Sequence, residues 1–179
     1  MKKIPLALLL LTAATLSHAQ SWQFLPVLND PGHRLAPTLA ITAGAVDADG
    51  APDAGTWGAE LNFNCGLIQS PDNRIRSYLQ INRTEEEDGV RATIVELSPR
   101  YMVPLGESFA IGAGPSVTAV RVKAPGVSRT VYGAGLAAGL DWRAGRLYAG
   151  LDVRWHDTDT RRGVKYDSTA VGLKVGVNF

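Results

Sequence analysis

A single cysteine, Cys65, leaves this chain without any possible internal disulfide, which excludes the small secreted scaffolds that replace a core with cross-links. Neither sign of charge is in excess: 18 Lys and Arg face 17 Asp and Glu, whereas a nucleic-acid partner demands a basic face. Past the N-terminus there is no run of 18 consecutive apolar residues, so no later segment reads as a transmembrane helix. Any membrane role must fall to strands, because only helices and closed barrels satisfy every backbone polar group inside a bilayer.

At the N-terminus, Lys2 and Lys3 precede an almost unbroken apolar run over 4–16. Ser17 and Ala19 then place small residues before a cut that leaves Gln20 first. That is the anatomy of a secretory signal peptide at 1–19. The apolar run is too short to cross about 30 Å of hydrocarbon as a helical anchor. Removal of 1–19 takes away two lysines and leaves a nearly neutral chain of a length that suits one domain.

Beyond residue 35 the chain alternates at every second position. Over 130–143, Tyr132, Ala134, Leu136, Ala138, Leu140 and Trp142 oppose a face of Gly133, Gly135, Ala137, Gly139, Asp141 and Arg143. Over 146–157, Leu147, Ala149, Leu151, Val153 and Trp155 oppose Tyr148, Gly150, Asp152, Arg154 and His156. Over 167–179, Val171, Leu173, Val175, Val177 and Phe179 oppose Gly172, Lys174, Gly176 and Asn178. Period-two runs of this kind are strand signals. Less regular copies at 36–46, 56–65, 74–84, 90–103 and 108–122 bring the expected total to eight strands.

The connections alternate between tight ones (104–107, 144–145) and mostly longer polar ones (46–55, 85–89, 123–129, 158–166). With both termini on the periplasmic side, the tight turns fall there and the polar loops outside, as outer-membrane barrels require. The eight-residue connection 66–73 departs from this rule. Pro99 and Pro115 lie inside expected strands, where each removes a ladder donor, so a β-bulge is expected at either. A parity slip after Ala119, where Val120 and Val122 take the apolar role, places one near Pro115.

Alternation alone permits two barrels: one with its apolar face toward lipid, and a soluble cup with that face around an apolar ligand. The polar face favours the first. It is rich in Gly and Ala with scattered charges of both signs, the composition of a narrow lumen where small residues stand opposite large ones. The apolar face sorts its aromatics by height. Phe63, Tyr101, Phe109, Trp142 and Phe179 fall at periplasmic strand ends, and Trp57, Tyr132 and Trp155 at the opposite ends, with aliphatics between. Two aromatic girdles about an aliphatic band match a bilayer.

Tyr132-Gly-Ala-Gly-Leu136, the strand Leu147-Tyr-Ala-Gly-Leu-Asp-Val-Arg-Trp155 and the terminal Val175-Gly-Val-Asn-Phe179 resemble the small OmpA/OmpX-type outer-membrane barrels, including opacity-like surface proteins. The resemblance covers 36–179. It implies an all-β, eight-stranded antiparallel transmembrane barrel in the outer membrane of a Gram-negative cell. It also implies that the terminal Phe179 is an assembly signal for the barrel-assembly machinery. These are motifs of architecture rather than of activity. Residues 20–35, with Trp22 and Phe24, depart from the pattern and read as a periplasmic lead-in or a cover for one barrel mouth.

The face assigned to the lumen collects Glu60, Arg76, Glu96, Arg100, Asp141, Arg143, Asp152, Arg154, His156 and Lys174. Buried charges require partners, so these ten are expected to form a paired network that plugs a bore barely wide enough for side chains. Rearranging pairs would instead make a gated ion path. Some small outer-membrane barrels remodel lipid A with His, Ser and a carboxylate, and the candidates here are His156, Asp157, Asp159 and Ser168. His156 and Ser168 share a face near the outer rim, but position 158 is threonine, so the deacylase-type His-x-Ser is absent.

Asp47, Asp49 and Asp53 are spaced too closely for an EF-hand and lack its closing glutamate. The acidic 85–88 is a solvated hairpin tip, and Arg161, Arg162 and Lys165 could pair with lipopolysaccharide phosphates. The expected protein is a non-enzymatic structural or surface-interaction barrel without metal or cofactor. Its expected partners are outer-membrane lipids, including lipopolysaccharide, and the assembly machinery. A lipid-modifying barrel enzyme and a soluble cup are the alternatives.

Overall fold

A computed structural model describes residues 21–49, 53–85, 89–160, 163 and 165–179. The signal peptide expected at 1–19, Arg161 and Arg162 lie outside the described residues, as do 50–52 and 86–88. In chain order the elements are β1 (Gln23–Phe24), α1 (Pro26–Asn29), β2 (Thr38–Ala48), β3 (Ala54–Asn64), β4 (Ile68–Gln69), β5 (Ile75–Thr84), β6 (Arg91–Pro104), β7 (Phe109–Ala124), β8 (Val127–Ala144), β9 (Leu147–Thr158) and β10 (Ser168–Asn178). Among the described residues, β2, β3 and β5 to β10 form one closed antiparallel barrel in which β10 pairs with β2.

Closure fixes the tilt. From Tyr148 the hydrogen-bonded partners run through Gly176, Ala40, Glu60, Gln80, Glu96, Thr118 and Gly133. The path returns to β9 at Thr158, ten residues from its start. A stagger of that size makes the strands of a small barrel lean roughly 35–45° from its axis. A strand of about 9–11 residues then spans the hydrocarbon, and every barrel strand is long enough.

The apolar face points outward. Ile41, Leu136, Leu173 and Val175 are each more than 60% exposed, as are no charged positions between them on the same strands. The inward Glu60, Gln80, Arg100, Tyr148, Asp152 and Lys174 are buried. This disposes of the soluble cup, which needs the opposite sense. An outward belt of Leu, Val and Ile this large is stable only against lipid, and the chain is an outer-membrane barrel. No helix among the described residues is long and apolar enough to cross.

Two expectations about irregularity are corrected. There is no bulge at Pro99 or Pro115. The pairs Leu97↔Val117 and Tyr101↔Ala113 share one register, so the two prolines stand opposite each other. Both missing donors fall in one gap of the β6–β7 ladder, while Ser77↔Pro99 and Pro115↔Leu136 keep the flanking ladders whole. The strands come together closely at this point, and a Cβ on Gly114 would lie 1.9 Å from the Pro99 carbonyl oxygen.

There is also no parity slip after Ala119. Val120 and Val122 remain inward and join Val46, Ala48, Ala92, Ile94, Val131 and Tyr166 in a buried apolar cluster at the outer end of the lumen. What changes along β7 is the chemistry of the lumen, from polar to apolar, and not the face.

The connection expected at 123–129 is likewise shorter. β7 and β8 continue past the rim and close in a two-residue turn, with Ala124 paired to Val127. Pro125 presets φ and Gly126 takes the left-handed value of 73° that such a turn requires. At the periplasmic side, the long connection 66–73 has a partner: its β4 pairs with β1 of the N-terminal segment, Phe24 opposite Ile68 and Gln23 opposite Gln69.

Candidate functional site

The lumen is built from the inward positions of all eight barrel strands, and its centre is a carboxylate–cation cluster. Lys174 on β10 donates to Glu60 on β3 at 2.8 Å and lies 3.3 Å from Asp152 on β9. Arg100 on β6 reaches the same Asp152 at 3.2 Å. Gln80 on β5 donates to Glu60 and to Asp152 and accepts from Arg154. One neutral amide thereby ties the adjacent pair β3 and β5 to β9.

Toward the periplasm, Asp141 accepts from the hydroxyls of Tyr78 at 2.7 Å and Tyr148 at 2.9 Å, and from Arg143 at 2.9 Å. Arg143 also donates to Asn62, Thr38 and Asn178. Arg76 donates to Asn62, Asn64 and the Ala36 carbonyl. The cations use aromatic faces as well: Arg100 stands 4.4 Å from the centre of the Tyr78 ring, and Arg143 4.8 Å from that of Tyr148.

Toward the outside, Glu96 faces Arg154 at 3.6 Å and His156 at 3.8 Å, with no hydrogen bond to either carboxylate oxygen. His156 shares a 2.7 Å hydrogen bond with Ser116. Above this layer lies the apolar cluster closed by Tyr166, whose amide donates to Thr158. Among the described residues, this apolar layer lies between the outer rim and the charged layers of the lumen.

All ten sequence-predicted lumen residues face inward, and the structure brings them into three connected layers. Arg76 stands apart from the acids and is held by neutral groups. Glycine makes room for the charges at specific points: a Cβ on Gly172 would lie 2.9 Å from Asp152 Oδ1, and one on Gly139 would lie 3.0 Å from Arg100 Nη1. A Cβ on Gly133 or Gly135, both on the polar face, would instead meet the β9 backbone at Asp157 and Trp155. Tyr78, Gln80, Tyr148, Asn62 and Ser116 join the lumen network without being among the expected ten, although alternation sets the first four on the inward face. Counting charges alone hid the neutral groups that connect them.

His156 and Ser168 are direct register partners, but the imidazole turns the other way, over Gly135 of β8, to Ser116 on β7. Glu96 approaches the same Nε2 that bonds Ser116, so no carboxylate orients the ring from its other nitrogen as a nucleophilic triad requires. All three side chains are buried on the side of the wall away from lipid.

On the outward face, Trp57, Tyr101, Phe109, Tyr132, Trp155 and Phe179 are exposed, and Phe63 and Trp142 partly so. Phe109 and Trp142 are cross-strand partners. Asp47, Asp49 and Asp53 are exposed, and among the described residues no group of three acidic, His or Cys side chains could hold a metal. In the outer loop, Lys165 pairs with Asp167 and lies 3.5 Å from Asp157.

No known family profile and no curated protein matches the sequence. Among solved structures, the barrel is similar to Neisserial surface protein A, at 14% identity and a TM-score of 0.61 over 81% of this chain and 97% of that one. The N-terminal barrel of Pseudomonas aeruginosa OprF aligns at 16% identity and 0.47, over 82% of this chain and all of that one. Ail of Yersinia pestis aligns at 14% identity and 0.44 over the same shares. The fold is therefore that of the small OmpA/OmpX-type outer-membrane barrels.

Proposed function

We propose that this protein is a non-enzymatic outer-membrane barrel with a structural or surface-interaction role, its lumen plugged by paired charges. The observation that carries the reading is the central cluster of Lys174, Glu60, Asp152 and Arg100, buried and mutually bonded across the bore. Side chains that fill the bore leave no path for solute, and each pairing keeps a charge from standing alone in a poorly solvated space. The working surface is then the outside. Residues 36–179 form the barrel, 20–35 precede it on the periplasmic side and 1–19 are the signal peptide. The outward aromatics are headgroup-level girdles, and Phe179 ends the strand read by the assembly machinery. Lipopolysaccharide meets the outer rim, where Lys165 and the neighbouring Arg161 and Arg162 supply positive charge.

The refolded barrel in a planar bilayer should show rare, small openings or none. Steady large conductance would defeat the plug. Glu96→Ala, which removes one of the two acids that face Arg154, should destabilise the barrel and make openings more frequent.

A second reading, a lipid-modifying enzyme, draws on the Ser116–His156 hydrogen bond beside Glu96. Burial of this trio behind the barrel wall argues against it, because a lipid substrate arrives from the other side. Lipid A from cells expressing His156→Ala, Ser116→Ala or Ser168→Ala should match that from wild type, and altered processing in any of them would promote the enzyme.

A further inference from the structure

The β3–β5 ladder continues one step beyond its strands, since the Cys65 amide bonds the Ile75 carbonyl in the same register. Phe63 and Leu61 face outward on this ladder, so Cys65 and Ile75 face outward as well. Yet Cys65 is 2% and Ile75 8% exposed, and the outward Ser77 is buried too. Something covers the lipid-facing side of the wall at this periplasmic corner. The cover is β4 with the N-terminal segment bound to it. Gln69 brackets Ile75 with both of its amide atoms, donating to the carbonyl at 3.0 Å and accepting from the amide at 2.7 Å. Leu25 donates to the Leu67 carbonyl at 2.8 Å, and Val27 packs against Gly66. Leu25 and Ala36 hold left-handed φ values of 52° and 43°, a costly state for non-glycine residues that persists only where surroundings impose it.

Segment β1–α1 and strand β4 thus form a ribbon laid on the outer side of the barrel. Its own free surface is mostly apolar: Trp22, Phe24, Leu25, Val27, Leu28 and Leu67 are exposed, with only Gln23 and Asn29 as exposed polar residues on β1 and α1. This surface continues the outward belt at the level of Phe63 and Phe179, and tryptophan and phenylalanine favour the headgroup zone. We propose that the ribbon is an interfacial anchor whose apolar surface inserts among the phospholipids of the periplasmic leaflet. A lead-in hanging in the periplasm would need no such surface, and a cover over the mouth would not bury Cys65 and Ile75.

The proposal rests on the membrane reading of the barrel, and the test separates the two. A chain carrying Trp57→Phe, Trp142→Phe and Trp155→Phe keeps Trp22 as its sole tryptophan; a companion keeps only Trp155, which faces outward from β9. Both are refolded into phosphatidylcholine vesicles with brominated or ordinary acyl chains. Trp22 should emit at shorter wavelength than in detergent-free urea, lose intensity to the brominated lipid and resist aqueous iodide. Quenching by iodide but not by bromine, with Trp155 still quenched by bromine, would overturn the anchor and leave the barrel standing. Protection of Trp22 that grows with the protein-to-lipid ratio would assign the surface to a second copy and also overturn it. Should the triple replacement fail to fold, a nitroxide on Leu28→Cys in the Cys65→Ser background reads the same depth. Collision with oxygen exceeding that with a water-soluble nickel chelate supports the anchor, and the reverse order overturns it.

Discussion

Lys174 of the last strand donates to Glu60 of the second barrel strand at 2.8 Å, across 114 positions of sequence, and both side chains are fully buried. Neither strand is the other's neighbour: β2 lies between them. The pair therefore crosses the lumen side of the closing seam, and its loss would be felt by every element that Glu60 and Asp152 serve.

Lys174→Met should lower stability by about 3–5 kcal/mol, the cost of removing one partner from a buried pair and leaving its acids uncompensated. Urea unfolding in micelles, followed by tryptophan emission, measures it. Lys174→Arg, which restores the charge, should recover part of the loss.

Leu151 lies outward between Leu140 and Leu173, while Asp152 lies inward against Arg100 and Lys174. Arginine at the bilayer midplane of a barrel costs about 2–4 kcal/mol, so Leu151→Arg should impair insertion into vesicles. Asp152→Asn should disturb the lumen and spare insertion. The opposite pattern would invert the face assignment.

The Phe179 amide donates to the Pro37 carbonyl at 2.9 Å, so the last residue still belongs to the β10–β2 seam, with its ring exposed. Its deletion should lower the yield of heat-modifiable barrel in cells. Unchanged yield would remove the assembly-signal reading.

In the outer loop, burial pushes the Asp167 carboxyl up, but hydrogen bonds from Lys165 and the Thr158 amide outweigh it and hold the group below the ordinary carboxylate value. A group lowered in the native state contributes stability above its unfolded pKa of about 3.9, and the contribution is lost as pH falls through the lower native value. The loop carrying Tyr166 should therefore loosen in acid, read as lost protection of the Tyr166 amide from hydrogen exchange relative to the intrinsic rate at each pH. Asp167→Asn should be loose at neutral pH and lose most of that dependence.

The alternation that made strands legible is strictest in β8, β9 and β10, where inward glycine and charge alternate with outward Leu, Val and Trp, and there the expected bounds differ from the observed ones by three residues at most. At Val120 and Val122 the same rule misled. Periodicity registers a change of residue chemistry and a change of face identically, and only the neighbouring Val46, Ile94 and Val131 show that the lumen itself turns apolar. The connection 66–73 could not be understood from within, because its partner, Gln23–Phe24, lies more than 40 residues earlier in the chain. His156 was matched to Ser168 because strands adjacent in sequence are easy to pair on paper. Its actual partner, Ser116, lies two strands away in the same register row, both residues standing opposite Gly135 of β8, which carries no side chain to separate them.

The pairing of β10 with β2 makes the wall a ring rather than a sheet. A sheet that loses its last strand keeps the rest and exposes one new edge; a ring that loses one opens two edges at once and uncovers its polar lining. A nascent chain ending before Ser168 is in that state, with Glu60 lacking Lys174 and β2 lacking its neighbour. No partial product can be a smaller version of the finished barrel, and the cell must hold the whole chain in waiting until the final eleven-residue strand arrives.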